Sequence, residues 1–590
     1  MSDLTPPPNQ PPQQSPPGYG EPLQQPPQKK RRGLIVGVVV GVIAAVALPL
    51  GAFALYQSLS GGGSQPDDVL PGDGALAYFR IDLDPSASQK VNALRFLDHF
   101  PSFSETTGID NPEQDVREVI FDAIADETDC DVEFSDVDAW LGERMGMVVL
   151  APEDEGSDPG FAAAIQVSDE DAARDGIAEL AACGAASEEF GASAGGALSG
   201  SDSADDEVAG SAGSSAPLAA EPPTEEGGWA FLDGYMVVAE TQELADDYAA
   251  AAQDASLADN EQFSADLERL GEPGMATVWL DGEALVEAFA GSLAGFPITD
   301  PEIAPEGDLG LTPEPDAMAD QMREAAAQSF SSAAIAFRFE SNHAEIASVV
   351  SGDLYEPLED ANTVDMALPE TTMFAFGLAD GDRYVERQWD SMLGMMTDPE
   401  LSGGMDPEDM IEQLEAETGL ALPEDLQTLL GSNLAFGIDS EGLEDVIASE
   451  DISALGLGAR IDTDPEEFAA LVDTIEGLAA ENELPLEIAV QETEDGVAVA
   501  ANDDYASTLA EGGSLADSDA FQAAVSDAGE AQSVFYFNFD VIEDLMLQFA
   551  EEDGASQEVV DNVQPIEAFG FSTIMHDGYA EATFRLTVNE

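Results

Sequence analysis

Basic residues are nearly missing from this sequence. Lysine and arginine together number 17 against 121 aspartates and glutamates, for a formal charge of -104, and only Lys29, Lys30 and Lys90 are lysines. A surface of that sign repels phosphate, so the electrostatic attraction that supports DNA or RNA binding is absent and nucleic acid is not an expected partner. Histidine is almost as scarce: His99, His343 and His576 are the full set, and no two of them have metal-ligand spacing such as HExxH. Each reads as a surface residue, with His343 and His576 in turns between paired strands. No phosphate-cradling loop of the P-loop or G-x-G-x-x-G type occurs, and no cofactor or defined metal site is expected.

What the chain does have is length and apolar content. At 590 residues and 44% hydrophobic composition it exceeds one core and cannot be wholly disordered, so two or more globular domains are expected. Residues 1–32 form a proline- and glutamine-rich tail ending in KKRR, too poor in large apolar groups to offset the entropy of ordering. Residues 33–58 follow, and their 34–56 stretch carries no charge. At about 1.5 Å per residue it is long enough for a hydrocarbon core of about 30 Å, and the basic cluster before it puts the tail in the cytoplasm. A cleaved signal peptide is the rival reading, with Ala52-Phe53-Ala54 as its site, but the long tail and the long apolar run oppose it. The expectation is a single-pass cell-membrane protein with its C-terminal bulk outside the cell, after a flexible linker at 59–69.

From residue 70 the chain repeats itself. LPGDGALAYFRIDLD at Leu70 answers to LPETTMFAFGLAD at Leu368, and DVDAWLGERMGMVVL at Asp136 to DLQTLLGSNLAFGID at Asp425. SLADNEQFSADLERL at Ser256 then answers to SLADSDAFQAAVSDA at Ser514. The first copy is longer between its second and third landmarks, and the low-complexity acidic stretch 184–228 supplies the excess. Landmarks in constant order with a removable insertion point to tandem duplication. The expected repeats are 70–352 and 368–590, joined by a linker at 353–367.

Local periodicity gives each copy its elements. Ala77, Phe79 and Ile81 alternate with Tyr78, Arg80 and Asp82, as do Phe535, Phe537 and Phe539 in SVFYFNFD and Ala582, Phe584, Leu586 and Val588 near the end. That is the period of half-buried strands. DPEEFAALVDTIEGLAAE instead places Phe468, Leu471, Val472, Ile475 and Leu478 on one helical stripe. In the repeated SLAD phrase, Asp259 and Asp517 stand where helix N-caps belong, ahead of the i, i+4 pairs Phe263/Leu267 and Phe521/Val525. Asp281 and Asp540 close the strands that follow. The fold class expected is α+β: mostly antiparallel sheet with packed helices, in two tandem domains.

Chemical motifs are thin. GASAG at Gly191 matches G-x-S-x-G, but a nucleophile elbow needs a strand before Ser193 and a helix after it, and the low-complexity insertion offers neither. Asp82-x-Asp84, Asp380-x-Asp382 and the acids of DEDAARDG at Asp169 lack calcium-loop spacing, so diffuse cation binding is expected. Cys130 and Cys183 are an even count on the expected outer side, which favours a disulfide with a loop-closure contribution of about 4 kcal/mol.

With the anchor, LPGDGALAYFRIDLDPS, WLGERMGMVVL and SLADNEQF assembled, the chain resembles the bacterial family called domain of unknown function 3352. The resemblance covers nearly everything from Leu34 onward. It implies a proline-rich cytoplasmic tail, one membrane span and a large extracytoplasmic region, found mainly in high-GC Gram-positive bacteria. It supplies no catalytic residues. The expected function is a non-catalytic, membrane-tethered module that binds an envelope or secreted protein partner. A carboxylate-dependent envelope hydrolase and a charged surface coat of a salt-adapted bacterium are the alternatives.

The charge itself makes a prediction, because self-repulsion destabilises a compact acidic chain and molar salt screens it within about 3 Å. The thermal midpoint of the protein is expected to keep rising from about 0.15 M to about 1 M NaCl. A midpoint that does not move over that interval would refute salt adaptation.

Overall fold

The computed structural model describes residues 65–82, 87–102, 117–118, 121, 133–152, 159–182, 228–285, 330–352, 358–396, 407–440, 442–443, 455–482, 487–543, 547 and 557–589. The architecture is α+β, dominated by one antiparallel sheet of 16 strands. In chain order the first eight are β1 (Ala75–Asp82), β2 (Leu141–Leu150), β3 (Gly160–Val167), β4 (Gly228–Leu232), β5 (Tyr235–Ala239), β6 (Ala276–Asp281), β7 (Ser332–Phe339) and β8 (His343–Ser351). The second eight are β9 (Thr372–Ala379), β10 (Asn433–Asp439), β11 (Leu457–Asp462), β12 (Ala489–Glu492), β13 (Val497–Ala500), β14 (Ser533–Asn538), β15 (Ile566–His576) and β16 (Tyr579–Val588).

Their spatial order is β12-β13-β11-β10-β9-β14-β15-β16-β8-β7-β6-β1-β2-β3-β5-β4. Counted outward from the β16·β8 contact, both halves run through the same sequence of strands. The two halves therefore share one sheet, joined by an antiparallel ladder in which Tyr579 faces Ser351 and Thr587 faces His343.

Helices pack on both faces. One face, called inner here, carries helices Gln242–Asp254 and Glu261–Leu270 in the first half and Asp503–Glu511 and Asp519–Ala524 in the second. Each half builds its own core beneath them. Tyr78, Phe263 and Trp279 centre the first, with Phe263 edge-on to both other rings at 5.3 and 5.4 Å. Phe521 and Tyr536 occupy the matching position in the second at 5.1 Å. On the opposite, outer face, helix Glu170–Ala182 covers the β4 end and helix Pro465–Glu481 the β12 end. Phe468, Leu471 and Val472 are buried there, as the periodicity requires, and Asp464 caps the helix.

The repeated phrase has a structural explanation. Leu257 N–H donates to the Leu70 carbonyl at 2.8 Å, and Leu515 N–H to the Leu368 carbonyl at 2.9 Å. All four leucines are fully buried. In each half SLAD thus pins the LP segment that opens the first strand. Close approach also fixes a glycine: a Cβ on Gly72 would lie 2.5 Å from the Ser256 carbonyl oxygen.

Several sequence expectations need correcting. The helix N-caps are Asn260 and Ser518, not Asp259 and Asp517, because a 3-10 turn intervenes at Leu257–Asp259 and at Leu515–Asp517. Asp259 instead accepts from the N–H and hydroxyl of Ser256. The partner of Asp281 is Asn538 rather than Asp540: Asp281 accepts from Ala284 N–H and Asn538 from Val541 N–H, each at i+3. His343 is not in a turn; it opens β8. The expected membrane span, the insertion 184–228 with GASAG, and both Cys130 and Cys183 lie outside the described residues. Among the described residues no helix is long and apolar enough to cross a membrane.

Asp266 gathers five donors on the inner face. Fully buried, it accepts from Trp279 Nε1 (3.0 Å), the hydroxyls of Ser332 (2.5 Å) and Ser351 (2.9 Å), Gln262 Nε2 (2.9 Å) and Arg269 (3.3 Å). It fastens its helix to β6, β7 and β8 at once. Asp266→Ala would strand several buried donors, and its expected cost is about 3 kcal/mol or more. Urea denaturation of the two proteins checks this, and a loss under about 1 kcal/mol would show that water replaces the carboxylate.

Candidate functional site

The alternation read from sequence is present, but the faces are occupied unexpectedly. In β1 Leu76, Tyr78, Arg80 and Asp82 are buried on one side and Ile81 on the other, while Phe79 is 37% exposed. In β14 the buried set is Val534, Tyr536 and Asn538, with Phe535 and Phe537 on the half-exposed side. Helix proximity is the physical reason. The inner face is lined by small residues such as Ala334, Ala336 and Ala347, and a Cβ on Gly570 would come within 2.4 Å of the Ala524 carbonyl oxygen. At those small-residue positions a ring does not fit; elsewhere on the inner face Tyr78, Trp279 and Tyr536 pack beneath the helices, and the phenylalanines of these strands stand on the outer face.

There they form a continuous row. Phe337, Ile346, Phe584, Phe571, Phe535, Phe376 and Phe436 face one another in register across β7, β8, β16, β15, β14, β9 and β10. A neighbouring row holds Phe339, Ala344, Leu586, Phe569, Phe537, Phe374 and Ile438. Rings interlock between the rows: Phe436–Phe374 at 6.0 Å, Phe374–Phe535 at 5.0 Å, Phe535–Phe569 at 5.3 Å and Phe569–Phe584 at 5.8 Å. Aromatic contacts of this kind contribute about 0.5–1.5 kcal/mol each beyond burial. At the middle of the sheet the row remains open, with Ile346 41% and Phe571 36% exposed.

Where β7, β8 and β16 end, with its charged floor on the face opposite the row, lies a cavity of about 310 Å³ lined by Gln89, Glu272, Arg338, Glu340, His343, Glu345 and Arg585. Its floor is an ion triad laid across three strands. Glu345 accepts from Arg338 at 2.9 Å on one side and from Arg585 at 2.8 Å on the other. Burial pushes the Glu345 carboxyl up, but the two guanidiniums together reverse that and leave it below its ordinary value. Arg338 also donates to the carbonyls of Leu270 and Glu272, closing the end of helix Glu261–Leu270. His343 has its pKa lowered to about 4, first by burial and then by Arg585, against a smaller opposing pull from Glu345.

The acids singled out in the sequence that lie among the described residues have other partners. Asp82 pairs with Arg144 at 3.4 Å, and Asp84 lies outside the described residues. Asp380 accepts from the backbone and side chain of Asn362 and from Arg383. Asp169 caps helix Glu170–Ala182 through the N–H groups of Asp171 and Ala172. Among the described residues no group of three or more His, Cys, Asp or Glu side chains could hold a metal ion. His99 contacts the Arg95 carbonyl, and His576 stacks on Tyr579 at 4.5 Å with Glu581 at 3.3 Å. Neither approaches a second histidine. The sequence reading missed the Arg338–Glu345–Arg585 triad; the available signal was the charge carried by strands that are mostly apolar.

Comparison with family models, with curated proteins and with solved structures returns no match.

The His343 environment makes a pH prediction. An unfolded histidine binds its proton near 6.5, whereas the folded ring resists until about 4, so stability present above pH 6.5 is lost as pH falls toward 4. His343→Gln is expected to remove that component, so that its stability relative to the parent rises between pH 6.5 and pH 4. Parallel pH–denaturation curves for the two proteins would contradict it.

Proposed function

We propose that this chain is a single-pass membrane protein whose extracytoplasmic region is a non-catalytic module that binds a protein of the cell envelope or a secreted protein. The observation that carries the reading is the open phenylalanine row on a chain of charge -104. Contiguous apolar surface on a soluble face marks interaction sites, and here it sits in surroundings otherwise suited to repel non-specific association. The buried carboxylates support a structural role: Glu345 is held by two arginines and Asp266 by five donors, arrangements that fix charge in place. The membrane and topology parts of the proposal rest on KKRR and the uncharged 34–56 run, and on the resemblance to domain of unknown function 3352. The common strand order of the two halves adds support for tandem duplication.

Covalent cross-linking on intact cells, followed by purification of the full chain and identification of attached proteins, tests the reading. One reproducible envelope or secreted protein, lost when residues 70–590 are deleted, is the expected result. Absence of any such protein above background, with turnover of wall polymer by the purified chain, would replace this reading with the hydrolase.

A further inference from the structure

The open row has a geometry that selects among partners. Its exposed part runs from Ile346 on β8 to Phe571 on β15, three strands and about 10 Å across; beyond it Phe436 packs under helix Pro465–Glu481 and Phe339 against Phe96 of helix Ala87–Leu97. Its strands are paired on both sides in the sheet ladder, so a partner meets side chains and finds no backbone edge to extend. An extended peptide laid there would leave its own N–H and C=O groups unpaired against phenyl rings. A helix satisfies those groups internally and presents an apolar stripe, and its diameter of about 10 Å matches the width of the opening.

Charge narrows the choice further. Neither row contains an ionisable side chain, yet the strand ends beside them carry Glu340, Asp540 and Glu567 at one end and Asp577 at the other. An acidic helix would be repelled by these and by the chain as a whole, and a second copy would bring its own -104. We infer that the outer-face row docks a cationic amphipathic helix of a partner protein, apolar stripe on the phenylalanines and basic flanks toward the strand-end carboxylates. The inference deepens the binding-module proposal and rests on it.

The test uses the full chain in phosphatidylcholine nanodiscs and three labelled 20-residue peptides: a Leu/Lys amphipathic helix, a scrambled peptide of the same composition, and a Leu/Glu amphipathic helix. Binding is read by fluorescence anisotropy, against empty nanodiscs, in about 0.15 M NaCl, where the strand-end carboxylates still act and the scrambled peptide of equal charge accounts for diffuse attraction. The Leu/Lys helix is expected to bind at least tenfold more tightly than either control peptide. The double variant Ile346→Ser, Phe571→Ser is expected to weaken it at least tenfold while circular dichroism stays unchanged. If the double variant unfolds, Ile346→Ser alone at the most exposed position of the row takes its place, with the same expectation at threefold.

Equal binding by parent and variant, equal binding of the Leu/Glu helix, or no binding of the Leu/Lys helix would each overturn the inference. So would self-association that the variant abolishes, which would assign the row to a second copy, or co-purifying lipid that the variant loses, which would assign it to an acyl chain. A cellular cross-linked partner that attaches elsewhere would overturn the docking site while leaving the binding-module proposal standing. Failure of both experiments would remove the proposal itself.

Discussion

The antiparallel pairing of β8 with β16 is the contact on which this architecture depends. It turns two eight-stranded assemblies into one sheet, and it does so at positions where neither half could finish the job alone. Arg585 comes from the second half, whereas Glu345 and Arg338 come from the first, and the three side chains lie in one row across the seam. Breaking such a buried ion group by removing one member is costly, because the remaining charge is left unmatched in a poorly solvated site. Arg269 adds a second fastening, with its guanidinium 4.5 Å over the Tyr579 ring while it also reaches Asp266. Two hydrophobic cores, one on each side of the seam, are thereby held on the same face of one sheet.

That seam also has consequences for the outer face. Because β16 and β8 adjoin, Phe584 meets Ile346, and the phenylalanines of the second half continue into the apolar strands of the first. Separate sheets would divide the row in two. On the inner face the helices approach to glycine and alanine distance at Gly570, Ala334 and Ala336, with Tyr78, Trp279 and Tyr536 packed between those positions. The phenylalanines of the strands stand opposite.

Scarce arginine is used in a consistent way. Arg338 closes the end of helix Glu261–Leu270, and Arg460 donates to the Leu509 and Ala510 carbonyls near the end of helix Asp503–Glu511. Arg144 neutralises Asp82, and Arg383 neutralises Asp380. Asp67 differs: burial raises its carboxyl pKa, and the Tyr78 hydroxyl, which donates to it at 3.0 Å, and the nearby Arg80 only partly offset that. A guanidinium offers several fixed donors and holds its charge when partly buried, which suits it to carbonyl clusters and buried carboxylates better than lysine. An acidic chain with almost no lysine can therefore keep its interior neutralised while its surface remains strongly negative.

The sequence by itself determined the local elements and their repetition. Strand periodicity at Ala75–Asp82 and Ser533–Asn538, the helix at Pro465–Glu481 and the paired LP and SLAD phrases are all legible because each depends on neighbours a few residues apart or on a motif written twice. Which side of a strand is buried was not legible. Alternation has a period of two on either face, and only the packed helices decide that Tyr78 and Arg80 go inward while Phe79 and Phe535 do not. Nor could sequence bring Arg338, Glu345 and Arg585 together, since Arg585 is 240 residues from Glu345 and joins it only through the seam. Periodicity records the shape of each segment; the shared sheet decides which surfaces remain open and which charges meet.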